Sequence, residues 1–414
     1  MHTDPLYLSA LASLGVNVPA KLMAAPINNS IAVLPFVNMS GDPAQEHFTD
    51  GLTEDVITDL SNVSGFFVIA RNSTFAYKGK PTDVRQIARD LGVKYILEGS
   101  ARRSAQRVRI NVQLIDAAEG GTHIWAERFD RALIDIFDLQ DDVTRRIVEV
   151  ITGKLAPNSI GERYHPANVE AYDLVVRSRW QFSISEKACR DSQFELLRAI
   201  DLDPNYPEAH WLLAMVQLFN WQMWNGKQEP DRASALLTAQ RAVKLAPNET
   251  WAHAILGHVL LGESRWEEAK LEFEHALQLN PNDADIHIGI ADYYIESCEP
   301  HKSVEHYATA LRLNPHPPGV FYWGLGMAQV CLGLYNEAIT TLQHKETYGT
   351  GSRRNLIVAF ALLGRLEEAK DEAKLFHASN PQWSISDWVK GKPFRTEEHT
   401  KIWADAFRLA GLPE

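Results

Sequence analysis

Ala276-Leu-Gln-Leu-Asn-Pro281 recurs along the chain with small changes. The prolines that close the last three copies lie 34 residues apart, at positions 247, 281 and 315. This spacing is typical of repeats in which each unit is a pair of helices joined by a turn. Such a pair cannot bury its apolar face alone, so neighbouring pairs must stack and leave an extended surface. The other copies are Ala199-Ile-Asp-Leu-Asp-Pro204, Ala242-Val-Lys-Leu-Ala-Pro247 and Ala310-Leu-Arg-Leu-Asn-Pro315.

Within each unit, small and large residues alternate at fixed places. Gly257, Ala269 and Ala276 allow close approach of two helices, and Phe273 fills the space beside them. Proline ends the unit because it cannot continue a helix. This pattern resembles the tetratricopeptide repeat, and the resemblance implies an all-α superhelix over residues 158–414, with about six helix pairs and a capping helix.

Two stretches upstream and three downstream complete the array. Pro204 and Pro247 are 43 residues apart, which predicts an enlarged inter-helix loop around Asn220–Gly226. The segment before Pro204 fits either a first repeat or an ordinary capping helix pair, and both interpretations stay open. Further units are indicated by Leu332-Gly-Leu-Tyr-Asn-Glu-Ala338 and Leu363-Gly-Arg-Leu-Glu-Glu-Ala369, and a final amphipathic helix by Ile402 to Leu412.

The first third of the chain follows a different pattern. Val108, Ile110, Val112 and Leu114 alternate with polar residues, which predicts a strand with one buried face. Short apolar runs elsewhere predict strands at 31–37, 66–70, 95–100 and 123–129, and helical periodicity predicts helices at 48–60, 82–91 and 139–155. We therefore expect an α/β domain over residues 30–157. Residues 1–29 are expected to be a poorly ordered segment or a short helix, and the linker lies between Ala156 and Pro166.

Several motifs of this domain resemble the TolB-amino-terminal-like module that precedes tetratricopeptide repeats in bacterial signalling proteins. The resemblance extends to Glu414. In those proteins the module follows a class III adenylate cyclase domain or a winged-helix DNA-binding domain. We expect neither domain before residue 30 here, so their activities are not carried over. The motifs are Ile31-Ala-Val-Leu-Pro-Phe36, Phe48-Thr-Asp-Gly-Leu-Thr-Glu-Asp55, Arg71-Asn-Ser-Thr-Phe-Ala-Tyr-Lys-Gly-Lys80, Leu97-Glu-Gly-Ser100, Leu114-Ile-Asp116 and Trp125-Ala-Glu-Arg128.

Composition limits the classes of partner. A net charge of −12 over 414 residues argues against nucleic-acid binding by the surface as a whole. Locally, Arg102, Arg103, Arg107 and Arg109 lie on or beside one strand pair and form a candidate anion patch, with a solvated sheet face as the alternative. The three cysteines are widely spaced, which favours a reducing, cytoplasmic location. The apolar stretch from 6 to 25 is interrupted by proline and lysine, so no membrane span is expected.

No sequence motif predicts catalysis. The chain has no Gly-x-Ser-x-Gly elbow, Walker-type phosphate loop or His-Glu-x-x-His zinc helix. Two pairs of histidines lie five residues apart, which places their members on different helix faces. We therefore expect no catalytic residue, no metal and no cofactor.

The leading hypothesis is a non-enzymatic interaction or sensor module of bacterial signal transduction that holds a peptide or partner protein in the repeat groove. One alternative is the effector part of a cyclase or transcription regulator, and another is an enzyme with its site in the α/β domain. Aromatic and methionine side chains supply apolar contact area, and His258 or Asp292 can orient a polar group. Packing between helices is the alternative for each residue. The candidate groove residues are Trp211, Met215, Trp251, His258, Ile288, Asp292, Trp323 and Met327.

Overall fold

The computed structural model describes residues 27–104, 106–118, 120–153, 164–223, 229–344, 352–391 and 394–414. Most of the predicted amino-terminal segment, most of the linker and the centre of the enlarged loop lie outside these ranges. The chain forms two compact units. The sheet unit contains Ala24–Val259 with His275–Asp283, and the carboxy-terminal unit contains Leu260–Glu274 with Ala284–Glu414.

The sheet has six strands in the order β3-β1-β4-β5-β6, with β2 paired to β4 beside this path. Strand β1 runs parallel to β3 and β4, and β2 also runs parallel to β4. Strand β5 runs antiparallel to both β4 and β6. The sequence predicts all the main strands, with ends displaced by a few residues. The strands are β1 (Ile27–Val33), β2 (Val37–Asn38), β3 (Phe67–Val68), β4 (Val93–Arg103), β5 (Arg107–Asp116) and β6 (Thr122–Ala132).

Helices cover the two faces of the sheet unequally. Helix α1 (Glu46–Ser61) and helix α4 (Ile136–Thr152) bury the larger core on one face, which includes the alternating apolar residues of β5. Helix α3 (Val84–Leu91) covers a smaller cluster on the other face, after a short helix α2 (Arg71–Phe75) that the sequence analysis does not predict. The polar side chains of β5 therefore point to an open face.

Helix α3 shows how local sequence sets an element. The Asp83 side chain accepts the amide hydrogen of Arg85 and caps the first turn. Gly92 ends the helix at φ 69°, a left-handed conformation that glycine adopts without a Cβ penalty. The predicted helix and its glycine cap are confirmed.

The remaining helices form consecutive pairs, which confirms the α-solenoid prediction. In the sheet unit they are α5 (Val169–Gln181) with α6 (Glu186–Leu202), and α7 (Pro207–Met223) with α8 (Glu229–Leu245). Next along the chain come α9 (Thr250–Gly262) and α10 (Trp266–Leu279), each of which has residues in both units. In the carboxy-terminal unit they are α11 (Ala284–Glu296) with α12 (Pro300–Leu313), α13 (Gly319–Cys331) with α14 (Tyr335–Leu342), and α15 (Arg353–Leu362) with α16 (Leu366–Ser379), followed by α17 (Ile385–Lys390) and α18 (Glu397–Leu409).

The turn inside each of the last four pairs contains one residue with positive φ. Gly333 and Gly364 occupy this position at 77° and 82°. In the two preceding turns the same position holds Ser264 at 57° and Cys298 at 67°. A side chain in this left-handed region costs free energy that glycine avoids.

Replacing Ser264 by glycine is therefore expected to raise the unfolding free energy by a few tenths of a kcal/mol to about 1 kcal/mol. Thermal unfolding followed by circular dichroism measures the change. The converse substitution Gly364→Ser, at the matching turn, serves as the control and should lower the melting temperature. An unchanged melting temperature in both variants would contradict the strain argument.

The first repeat pair contributes to the core of the sheet. Tyr172 and Val176 of α5 are buried in the same cluster as α1 and α4, and a Cβ on Gly51 of α1 would lie 2.5 Å from a methyl carbon of Val176. Asn280 donates a hydrogen bond to the Ser61 hydroxyl at 2.9 Å. The predicted domain border at residue 157 stays a prediction, and this packing argues for a border inside the repeats.

A buried ionic cluster lies at the same contact, and we call it the junction cluster. The Arg179 guanidinium of α5 lies 3.0 Å from Asp55, 3.4 Å from Glu54 and 2.6 Å from Glu208. The second Asp55 oxygen accepts hydrogen bonds from Tyr172 at 2.6 Å and Gln140 at 2.7 Å. Side chains of α1, α4, α5 and α7 thus meet around one cation.

The charges of the junction cluster depend on one another. Burial alone would lower the pKa of Arg179, but the carboxylates of Glu208, Asp55 and Glu54 outweigh it and raise that pKa well above its usual value. Burial raises the pKa of Glu54, although Arg179 and Arg71 oppose this shift. Removing Arg179 would therefore leave three carboxylates without the cation that compensates for the burial of their negative charges.

Candidate functional site

The first helices of the carboxy-terminal unit form a layer of their own. Helix α11 packs against α13, and α13 packs against α15. Each also packs against the second helix of its own pair, which lies on the other side. The sequence predicts a groove on the side of α11, α13 and α15 that carries Asp292 and Trp323, and we call this side the first-helix face.

The positive-φ turn residue gives each helix a common register. Ten and six residues before Cys298 lie Ile288 and Asp292, and the same counts from Gly333 lead to Trp323 and Met327. The four predicted residues of this unit therefore occupy equivalent positions on neighbouring helices. Ile288 and Met327 are buried, whereas Asp292 and Trp323 are partly exposed. The alternative role, packing between helices, therefore fits Ile288 and Met327 better than Asp292 and Trp323.

Asp292 lies against the neighbouring helix. Its carboxylate accepts a hydrogen bond from the Tyr307 hydroxyl at 3.3 Å. A Cβ on Gly324 of α13 would lie 2.3 Å from that hydroxyl and 3.2 Å from the Asp292 oxygen, so glycine permits this close approach. Burial raises the pKa of Asp292 to about 7, and the Tyr307 hydrogen bond opposes the shift.

Two charged residues of the first-helix face are absent from the sequence prediction. Glu296 lies one turn beyond Asp292, and burial followed by the Asp292 charge raises its pKa to about 8. Arg354 of α15 lies ten residues before Gly364, in register with Trp323, and burial lowers its pKa. The sequence signal that identifies Arg354 is its distance from Gly364, which equals the distance of Trp323 from Gly333.

The segment Phe394–Thr396, which we call the strap, returns to α11. The Arg395 amide donates to the Glu296 carbonyl at 2.8 Å, and its guanidinium lies 2.8 Å from Glu267. The Thr396 hydroxyl lies 3.4 Å from the Cys298 sulfur. The strap therefore contacts the carboxyl end of α11 and the turn that follows it.

The other predicted groove residues belong to the sheet unit. Trp211 and Trp251 stack with ring centroids 5.6 Å apart, and Trp211 is only 9% exposed. Met215 is partly exposed. His258 is also partly exposed, and burial lowers its pKa to about 4, which keeps the imidazole neutral at pH 7. The stacked tryptophans favour a packing role for that pair.

The predicted anion patch is divided between the two faces of the sheet. Arg103 makes a bidentate ion pair with Asp173 of α5, with both nitrogen–oxygen distances 2.6 Å, on the helix-covered face. Arg107 and Arg109 share the carboxylate of Asp130, and Arg102 lies beside Arg109 on the open face. Three of the four arginines are thus paired with carboxylates of the chain, and Asp130 is the direct cross-strand neighbour of Arg109.

The open face of the sheet also carries a cleft of about 750 Å³ beside the Tyr77–Thr82 loop. Its polar side chains are bonded to one another, since Gln113 donates to Glu98 and Asn111 donates to Ser100. Over the described ranges, no group of three or more histidine, cysteine or acidic side chains has the geometry of a metal site. Nor does any helix in those ranges have the length and apolar character of a membrane span.

Glu296 gives the carboxy-terminal unit a pH-dependent stability. A carboxyl whose pKa is raised by folding binds its proton more tightly in the folded chain, so the unfolding free energy falls as pH rises from about 4.5 to about 8. Glu296→Gln removes this loss and is expected to raise the unfolding free energy at pH 8.5 by at least about 1.4 kcal/mol, the equivalent of one pKa unit.

Melting curves of wild type and variant at pH 5.5 and pH 8.5 measure this effect. The gain in melting temperature of the variant over wild type should be clearly larger at pH 8.5 than at pH 5.5, because wild type loses stability continuously between about pH 4.5 and about pH 8. Asp371→Asn, on the exposed side of α16, is the control and should leave the pH dependence unchanged. Equal pH dependence in Glu296→Gln and wild type would contradict the assignment.

Comparison with known proteins finds a family domain and a longer relative to which the chain is similar. Residues 27–146 match the family described as HilA/YgeH-like transcriptional regulator, second domain. A protein of Rhizobium meliloti (strain 1021) named "Putative adenylate cyclase 3" is 48% identical over 262 residues, which cover 62% of this chain and 43% of that protein. The chain thus spans less than half the length of this relative.

Two solved structures illustrate the parts. A thermophilic TPR protein of Thermus thermophilus, TTC0263, is 18% identical with a TM-score of 0.37, covering 48% of this chain and 98% of its own. TolB of Acinetobacter baumannii is 21% identical with a TM-score of 0.24, covering 32% of this chain and 29% of its own. The predicted resemblance to a TolB-like module followed by tetratricopeptide repeats is confirmed.

Proposed function

We propose that the first-helix face binds a peptide segment of a partner protein, and that the chain is a non-enzymatic regulatory module of bacterial signal transduction. The observation that carries the proposal is the placement of Trp323 and Asp292. Both side chains are partly exposed, they lie on the neighbouring first helices α13 and α11, and their register positions differ by one helical turn. The indole offers apolar contact area to a ligand, and the carboxylate offers a hydrogen-bond acceptor that can orient it.

Neighbouring helices hold these two groups in place. The Asn355 side chain of α15 donates to the Trp323 carbonyl at 3.5 Å, and Tyr307 holds Asp292 against Gly324. A preorganised surface loses less conformational entropy on binding than a mobile one. These contacts support recognition by a face that exists before the partner arrives.

Site-specific crosslinking tests the proposed face. A photoreactive amino acid at Val320, which is 51% exposed and three residues before Trp323, should crosslink a native partner in cells. The same amino acid at Leu375, 47% exposed on the second helix α16, is the matched control and should not. Adducts at Leu375 alone would place the binding surface elsewhere.

Trp323→Ala is expected to reduce the Val320 adduct at least about tenfold, because a buried aromatic anchor often contributes 2 kcal/mol or more to binding. Its helicity should equal that of wild type, as the indole is partly exposed. Circular dichroism provides this check. Retained crosslinking by a folded Trp323→Ala protein would contradict the assignment of Trp323.

A second candidate function follows from the cyclase-named relative and from the HilA-type match. In this alternative the chain is the effector part of an adenylate cyclase or a transcription regulator, and its partner segment belongs to that system. The purified chain should then form no cyclic AMP from ATP by itself. Measurable turnover by the purified chain would contradict a non-enzymatic function.

A further inference from the structure

The first-helix face carries two acidic groups and one basic group that the described part of the chain leaves without ion pairs. Asp292 and Glu296 lie on α11, and Arg354 lies two helices away on α15. Asp292 has only the neutral Tyr307 hydroxyl, and neither Glu296 nor Arg354 has a side-chain partner among the described residues. All three side chains are only partly exposed.

Other arginines of the same unit do have such partners. Arg353, the residue before Arg354, lies 2.8 Å from Glu372, and Arg395 lies 2.8 Å from Glu267. Partly burying an unpaired charge costs stability, and Arg354 also lies in the first turn of α15, where the helix dipole disfavours a cation. None of the three groups gains an ion pair from folding, and burial instead raises the pKa of the two carboxyl groups.

Helix α13, which lies between α11 and α15, has apolar side chains or a cysteine at the three register positions that these groups occupy on their own helices. Trp323 and Met327 of α13 lie in register with Arg354 and Asp292, respectively, and the next turn holds Cys331. The face therefore changes from acidic on α11 to apolar on α13 and to basic on α15. A ligand that complements this face needs the opposite order of charges.

We propose that the ligand is an extended peptide that places a basic side chain against Asp292 and Glu296, an apolar side chain against Trp323, and an acidic side chain against Arg354. This inference rests on the proposed function, because it names the chemistry of the same site. Packed helices are about 8–10 Å apart, so two steps span about 16–20 Å. At about 3.3 Å per residue, the basic and acidic residues lie about five or six positions apart.

Selection from a displayed library of random dodecapeptides against the full chain tests the pattern. Peptides that lose binding to Trp323→Ala are the relevant set. They should be enriched in a Lys or Arg and an Asp or Glu five or six positions apart, with an apolar residue between them. Absence of this enrichment among Trp323-dependent peptides would overturn the charge pattern while leaving peptide binding by the face intact.

A synthetic copy of the strongest selected peptide then tests each charge. Its Kd should rise at least tenfold with Arg354→Gln, and a peptide whose acidic residue is changed to lysine should bind Arg354→Glu better than wild type. Lys374→Gln, on the exposed side of α16, should leave the Kd unchanged. Because Arg354 has no ion pair to lose, Arg354→Gln should melt at or above the wild-type temperature.

These outcomes separate the two proposals. Binding that depends on Trp323 but ignores Arg354→Glu would overturn the inference and retain the proposed function. Failure to select any Trp323-dependent peptide would overturn both.

Discussion

Arg179→Ala is expected to lower the unfolding free energy by about 3–5 kcal/mol, since removing one partner of a buried ionic cluster leaves uncompensated charges. The truncation leaves Asp55, Glu54 and Glu208 as buried or partly buried carboxyl groups that share no cation at their centre. Denaturant unfolding of the full chain, followed by tryptophan fluorescence, measures the loss.

Arg177→Ala is the matched control on the same helix. Arg177 pairs with Glu195 at 2.9 Å and its side chain is 38% exposed, so its removal should cost less than about 1 kcal/mol. In the double variant Arg179→Ala with Asp55→Asn, part of the loss should be recovered because one buried charge is gone. Equal effects of the two single arginine variants would show that the junction cluster has no special role.

Residues 27–157, expressed alone, are expected to lack a fixed tertiary structure, in contrast to the domain border that the sequence suggests. The cut removes Tyr172 and Val176 from the sheet core and Arg179 from its carboxylates. A fragment that exposes this much apolar surface loses several kcal/mol, which is comparable to the whole stability of a small domain.

The matched fragment 27–259 retains α5 through most of α9 and should unfold cooperatively. Near-ultraviolet circular dichroism and thermal melting distinguish the two fragments. A cooperative melt of 27–157 would show that the border lies in the linker after all.

The sequence predicts those elements of the fold that have a periodic pattern of apolar residues. The 34-residue phrase predicts the helix pairs, and alternation predicts β5, because each pattern repeats along a single element. It misses the short helix α2, whose five residues are too few for a periodic signal. Element ends differ by a few residues because caps and sheet pairing decide them locally.

The site is predicted less completely for a different reason. The repeat register predicts Ile288, Asp292, Trp323 and Met327. It predicts Arg354 only if the register is counted from Gly364, and the distance from Gly333 to Gly364 differs from that between the preceding turn residues. Arg179 shows a second limit. Its helical surroundings look like an ordinary polar surface in sequence, and only the packing of α5 against α1 shows that the arginine is buried.

The strap changes how cooperatively the carboxy-terminal unit unfolds. A linear stack of repeats frays from its ends, because each pair touches only its neighbours. Here α18 packs on α15 and α16, while Arg395 bonds to Glu296 and Glu267, so the last part of the unit is tied back to its first part. The helix pairs between them are enclosed in a ring of contacts. End fraying must first break that ring, so the unit should melt in a single transition like a globular domain.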